Sequence, residues 1–353
     1  MHDTRKIVEE FLISECLVNG QRALWLLLTI GLVSIGWLGL EKSAEAATTI
    51  NVEGNIFYTD DAGLFSSSRR LSLQEDPTQP VVDVTDQGED VVFEPVLTIR
   101  RSFFSQFGET TVSFRGQGFV FADQTRLSHG TYGLKLEQAF SSKTTVGLRY
   151  HFGPNLFLGD NEARRSGSKK LLEERVTTHF WAGTIEREVV DDLRLRLLGR
   201  YGLRLYNNDF AQRDTHFWTV GPHIEWTIQP GIGLKMGYHF ERGLADGRNQ
   251  SQFHDDVSYS NHYMSTELEV EISESTTLEL AIHYERNNFI SDLEEDERNG
   301  ANEDVWQGDV EIRHQVTDAA TLKGGFQRSQ RKASFERSTI IDVNVWIGGV
   351  YQF

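Results

Sequence analysis

Two histidine–carboxylate pairs, His239 with Glu241 and His283 with Glu285, are the residues of this 353-residue chain best suited to acid–base chemistry. A histidine beside a carboxylate serves as the base of a hydrolase when a nucleophile lies within hydrogen-bond reach of it. The members of each pair stand two residues apart, and the sequence places no serine as a partner. They read as polar lining, and no catalytic residue is expected. The acidic run 291–304, with Asp292, Glu294, Glu295, Asp296, Glu297, Glu303 and Asp304, could gather a divalent cation, but it lacks the spacing and glycine of a calcium loop. It reads as a solvated loop, and no metal or cofactor is expected.

A denser signal is charge sorted by parity. In residues 193–206, Leu193, Leu195, Leu197, Tyr201, Leu203 and Leu205 share one parity while Arg194, Arg196, Arg200 and Arg204 share the other. Only a strand sorts side chains with period two. The same alternation sets Leu148, Tyr150 and Phe152 against Arg149 and His151, and Met264, Leu268 and Val270 against Glu267, Glu269 and Glu271. Further on, Leu278, Leu280 and Ile282 stand against Glu279 and His283, and Val310 and Ile312 against Asp309, Glu311 and Arg313. An arginine held against a bilayer midplane costs about 2–4 kcal/mol. The charged parity is therefore expected to face an interior.

The elements that must carry these residues repeat. From residue 129 onward, two alternating strands joined by a short polar turn are followed by a longer hydrophilic loop, with turns centred near 142, 191, 230, 274 and 318. A recurrence of about 40 to 50 residues could mean propeller blades, but two long strands per repeat is the arithmetic of barrel hairpins. Strands near 49–58, 91–104, 109–122, 129–140, 143–155, 174–188, 193–206, 215–228, 232–242, 257–272, 276–286, 304–316, 320–331 and 339–353 give fourteen, with twelve as the alternative. Long loops are expected at 64–90, 153–172, 207–214, 243–256, 287–304 and 330–337. The fold class is all-β: a transmembrane antiparallel up-and-down β-barrel.

Residues 343–353, Val-Asn-Val-Trp-Ile-Gly-Gly-Val-Tyr-Gln-Phe, alternate in the same way and finish on Phe353. This segment resembles the closing strand of bacterial outer-membrane β-barrel proteins, whose last residue is typically Phe. The resemblance implies that Tyr351 and Phe353 belong to the signal read by the barrel insertion machinery, and that loss of Phe353 impairs insertion. It also implies a place in the outer membrane among lipid and lipopolysaccharide. Neither the paired aspartates of the omptin proteases nor the Ser/His/Asn pattern of the outer-membrane phospholipases is found, so the chain reads as no enzyme.

Residues 23–40 are apolar and uncharged, preceded by Arg22 and followed by Ala44-Glu45-Ala46, a small-x-small cleavage site. Eighteen residues also approach the length of a retained membrane helix, but no basic stop-transfer cluster follows. The expected organisation is a signal peptide at 1–46 and one barrel at 47–353. Cys16, the only cysteine, precedes the apolar stretch, so disulfides and thiolate metal sites are not expected in the barrel. A formal charge of −17 argues against nucleic-acid binding, which needs a basic footprint.

The interior is expected to carry Arg115, Lys135, Arg149, Arg194, Arg196, Arg200 and Arg204 on one side and Glu267, Glu269, Glu279, Asp309 and Glu311 on the other. Opposed basic and acidic walls around water would sort small polar or charged solutes, as in a porin-like channel. A barrel for exporting a polysaccharide or holding a periplasmic partner is the alternative, and a hydrolase a further one. Salt bridges between neighbouring strands could instead fill the interior. A basic loop with Arg164, Arg165, Lys169 and Lys170 could meet lipopolysaccharide phosphates.

Overall fold

The structure is a computed structural model that describes residues 47–63, 65, 88–164, 170–335 and 339–353. The expected signal peptide, most of the acidic loop 64–90, and Arg165 and Lys169 of the basic loop lie outside these residues. Fourteen strands follow in chain order: β1 (Ala47–Thr59), β2 (Asp90–Ser105), β3 (Gly108–Phe121), β4 (His129–Ser141), β5 (Thr144–Glu162), β6 (Leu171–Val190) and β7 (Leu193–Tyr206). The second half is β8 (Thr215–Gln229), β9 (Ile232–Ala245), β10 (Tyr259–Ser273), β11 (Thr276–Phe289), β12 (Asn302–Thr317), β13 (Ala320–Ala333) and β14 (Ile340–Gln352). Each strand pairs antiparallel with the next, and β14 returns to β1, from Asn51↔Gln352 to Thr59↔Asn344. The barrel is closed with fourteen strands, so no edge is left unpaired.

The short connections are two residues long, as at 142–143, 191–192, 230–231, 274–275 and 318–319. They form because each offers polar or small residues able to reverse the chain; Asp192 and Gly231 take left-handed backbone, with φ of 69° and 80°. At each of these five turns the entering strand carries one extra residue, a bulge. The extra residues are Phe140, Val189, Ile228, Ile272 and Val316, all exposed. Each keeps the outward parity of its strand, so the bulge leaves an apolar side chain on the outer surface beside the turn.

The long connections are shorter than expected in one place. The loop read at 153–172 is largely strand: β5 runs on to Glu162 and β6 starts at Leu171, with register shifts between Gly153 and Leu156 and between Phe157 and Gly159. The irregular segment stays paired because Leu156 and Leu158 pack with Val176, Tyr206 and Phe210, and Arg126 and Arg175 lie over the Phe157 ring.

The outer surface explains the apolar parity. Val52, Ile56, Leu97, Phe114, Leu148, Leu197, Ile282, Ile312, Phe326 and Ile347 are all exposed, and they come from strands all around the barrel. A soluble protein rarely exposes apolar patches of more than a few hundred Å². A closed barrel wrapped in such side chains is built for lipid, and its architecture is that of bacterial outer-membrane β-barrels. Among the described residues no helix is long and apolar enough to cross a membrane. By the asymmetry of such barrels the short turns mark the periplasmic end. Leu197→Arg, which puts a charge on this surface beside the inward Arg196, is expected to destabilise the folded barrel by about 2–4 kcal/mol. Urea titration of lipid-reconstituted protein checks this, and an arginine at the inward Thr145 should be tolerated.

Candidate functional site

The barrel interior changes character along its length. Near the periplasmic end, Arg196 reaches Glu186 on β6 at 2.7 Å and Glu225 on β8 at 3.0 Å, and Arg194 bridges the same two glutamates. Lys235 lies 3.8 Å from both Glu267 and Glu269. Arg313 holds Glu279 and Glu311, each at 2.7 Å, and the Trp346 indole N–H also donates to Glu311. Asp309 accepts from His283 Nε2 at 2.9 Å. Apart from Arg313–Glu311, which lies within β12, these ion pairs join neighbouring strands because inward side chains on adjacent strands are close enough to meet.

Halfway up, the ion pairs become buried. Glu241 on β9 is fully buried, and its two oxygens take Arg200 at 2.9 Å and Arg204 at 3.4 Å, both from β7. The hydroxyls of Thr219 and Tyr259 donate to the same carboxylate. Arg204 also lies over the Phe217 ring at 4.2 Å, and Arg200 lies over Phe180 at 5.1 Å. Beside this knot His223 and His239 meet through their Nε2 atoms, His239 packs on Tyr263, and the Tyr263 hydroxyl bonds His283. His239, Glu241 and His283 are therefore inside the packed barrel and committed to polar partners; Glu285 is held by Asn261 and Asn287.

Above this level the interior includes an apolar core, contrary to a uniformly polar inner face. Phe57, Val92, Phe119 and Phe121 lie on the inward parity and pack with Phe65 from the segment after β1. Trp346 of β14 packs at a tilt against Phe57, with ring centroids 5.5 Å apart. The strands here extend past the roughly 9–11 residues that a bilayer requires, so their outer ends need a core of their own.

The outer mouth holds a second buried network. Arg213, in the turn Asn208–Arg213, bonds Glu174 on β6 at 2.8 Å and Asp255 at 2.9 Å. Arg298 lies 3.5 Å from Asp255 and 3.7 Å from Asp296, and Gln212 donates to Asp255. Three connections between strands are tied together in this way. Asp296, expected in a solvated loop, is buried; it accepts from the Ser291 hydroxyl and from the backbone N–H of Asp256, while Asp292, Glu294, Glu295 and Glu297 stay exposed. Arg164 of the basic loop bonds the His254 carbonyl, in the same group of connections.

Burial by itself would raise the Asp255 carboxyl, but Arg213 and then Arg298 outweigh it and hold the group below its ordinary value. A carboxyl depressed in the folded state contributes stability that is present above its unfolded value and is lost as pH falls through the folded one. The tie is therefore expected to be unchanged between pH 7 and 5 and to weaken only below about pH 4. Protease nicking of 246–257 measured against pH checks this.

A cavity of about 450 Å³ occupies the periplasmic half. Arg115, Lys135, Arg149, Arg196, Arg200 and Glu267 of the expected interior residues line it, with Arg100, Lys235 and His223. Arg194, Arg204, Glu269, Glu279, Asp309 and Glu311 are not on its lining but take part in the ion pairs above. Two rows of like charge stand out. Lys135 and Arg149 are direct cross-strand partners, and so are Glu269 with Glu279 and Glu279 with Glu311.

The outer surface carries a device that period-two reading missed. The Tyr150 hydroxyl meets His179 Nδ1 at 2.8 Å, Tyr201 meets His216 at 2.9 Å, and Tyr238 meets His262 at 2.8 Å. Each pair joins adjacent strands at the level of the outer aromatic girdle, where a ring with one polar tip is suited to an interface. The recurrence of an outward histidine on the strand next to each tyrosine is a signal that the sequence does contain. At the other interface Tyr351 packs edge-on against Phe353, and the backbone N–H of Phe353 donates to Ile50 at 2.9 Å.

No family model matches the chain, and a search of curated proteins gives no match. Among solved structures the chain is similar to an anion-selective porin from Comamonas acidovorans, at 8% identity over 88% of this chain and 99% of that one, with a TM-score of 0.47. It is also similar to the outer membrane channel DcaP of Acinetobacter baumannii, at 10% identity over 89% and 98% with a TM-score of 0.48. A bacterial polysaccharide outer membrane secretin gives 9% identity over 87% and 98%, with a TM-score of 0.48. At identities and scores this low, no solute or direction of transport carries over to this chain.

Proposed function

We propose that this barrel is an outer-membrane pore for small polar or charged solutes, with a basic wall and an acidic wall facing each other across the periplasmic half. The observation that carries this reading is the pair of like-charge rows. Like charges directly opposite on neighbouring strands are unfavourable, yet Lys135 stands beside Arg149 and Glu279 between Glu269 and Glu311, with Glu137 pairing Lys135, Lys235 meeting Glu269, and Arg313 joining Glu279 to Glu311. In a closed fourteen-strand order β4 and β5 lie seven strands from β11 and β12, which is half the circumference. Charges of opposite sign across a water-filled space orient a passing dipole. The ion pairs of the same half, such as Arg196 between Glu186 and Glu225, moderate this field without removing the like-charge neighbours.

The outer half is packed by the Glu241 knot, the phenylalanine core and the Arg213 tie, so it limits the rate of passage. The histidine–carboxylate pairs belong to this packing, and transport rather than catalysis is the reading they favour. Liposome swelling in isosmotic solutes tests the proposal. Uptake of small zwitterionic and charged solutes, with exclusion of oligosaccharides, is expected; no uptake from liposomes holding folded protein would rule it out.

A further inference from the structure

The basic wall carries more cations than carboxylates, although Glu137 pairs Lys135 and Arg149 lies over the Phe180 ring. The pairing registers place Arg100, Ser113, Lys135, Arg149, Ala182 and Arg200 side by side on β2 to β7, one row around the barrel. Arg115 stands one inward position above Ser113 on β3 and lines the same cavity. The lining carries seven lysines and arginines against four glutamates. The cavity keeps a positive excess even when Arg200 is set against Glu241 behind it. The chain as a whole carries −17, so the sign is reversed in this space.

The row is also shaped to receive something. Gly133, on the inward parity between Arg115 and Lys135, adds no side chain to the cavity, and a Cβ there would meet only Tyr150 O at 3.9 Å and Arg115 Cβ at 4.0 Å. Ser113, Thr98 and Thr145 on the same lining add hydroxyl donors. Cations grouped around an opening, with hydroxyls between them, match the oxygens of a carboxylate or phosphate, which accept several charge-assisted hydrogen bonds at once.

We propose that the wall formed by Arg100, Arg115, Lys135 and Arg149 is a binding site for small polyanions bearing carboxylate or phosphate groups. This deepens the pore reading and rests on it for the route by which the solute arrives. Binding in the cavity neutralises the repulsion between Lys135 and Arg149, so the site favours multivalent over monovalent anions. The acidic row on β10 to β12 repels the same solute and holds it against the basic wall.

Isothermal titration of citrate and of pyrophosphate into the folded, detergent-solubilised barrel tests the site. Saturable binding of at least one probe is expected, weakened at least tenfold in Lys135→Gln/Arg149→Gln and unchanged in Lys143→Gln at a periplasmic turn. A preference for citrate assigns carboxylate solutes, and a preference for pyrophosphate assigns phosphorylated ones. Absence of saturable binding to wild type, or equal affinity in the double variant, overturns the proposal. The double variant loses the Lys135–Glu137 pair and the Arg149 contact with Phe180 as well as the like-charge contact, so heat-modified gel mobility verifies its fold before titration. Anion binding without solute uptake into liposomes would sustain the site and remove the pore; uptake without anion binding would do the reverse.

Discussion

Glu241→Ala is expected to destabilise the barrel by about 3–5 kcal/mol, the range for removing one partner from a buried ion pair. Glu241 is fully buried and sets its two oxygens against Arg200 and Arg204, which are themselves buried. Without it two guanidiniums remain in the packed interior with no carboxylate between them, and the hydroxyls of Tyr259 and Thr219 lose their acceptor. Each of those losses carries the cost of desolvating a group that no longer has its partner. Glu241→Gln keeps an acceptor oxygen but not the charge, so it should fall between wild type and alanine. Replacing Glu241, Arg200 and Arg204 together by apolar residues of similar volume should cost far less than Glu241→Ala, because the burial penalty leaves with the charges. Urea unfolding of lipid-reconstituted protein, followed by tryptophan fluorescence, measures all three.

Arg213→Met is expected to cost a similar amount, about 3–5 kcal/mol, but locally. Arg213 stands between Glu174 and Asp255, and its removal leaves two buried carboxylates near each other with Arg298 as a neighbour of Asp255 only. The strands below keep their hydrogen-bonded ladder, so the barrel's unfolding midpoint should move little. The connections at 208–213, 246–257 and 291–300 should separate instead, seen as faster proteolysis at neutral pH. The acid weakening expected of wild type should then be smaller, since of its two arginines Arg298 remains to depress Asp255.

The barrel was legible because two local signals agree. Leucines and arginines of 193–206 separate by parity, and short turns recur at a spacing that admits only two long strands between them; fourteen strands and the β1–β14 closure follow. Depth and partner choice were less legible. Parity assigns Phe57, Phe119, Phe121 and Phe217 to the same inner face as the charged residues, but alternation says which side a residue takes and not that this side turns apolar near the outer end. Arg200 finds Glu241 two strands away, a contact set by barrel curvature and register that no spacing in the sequence expresses. The partners of the expected basic residues were hidden for the same reason: Arg194 and Arg196 pair with adjacent strands, while Lys135 pairs with Glu137 on its own strand and stands beside Arg149. The bulges beside the short turns were hidden because the extra Phe140 and Ile272 keep the outward parity of their strands, so alternation gives no sign of them.

The central claim is that solutes pass through this interior, and single-channel recording in planar bilayers tests it most directly. Folded wild-type protein is expected to give discrete conductance steps. In a salt gradient the reversal potential should indicate anion preference, and Arg213→Met should give larger steps as the outer connections separate. A bilayer that stays silent with both wild-type and Arg213→Met protein, each shown to be folded and inserted, would contradict the account and leave the interior as packed structure alone.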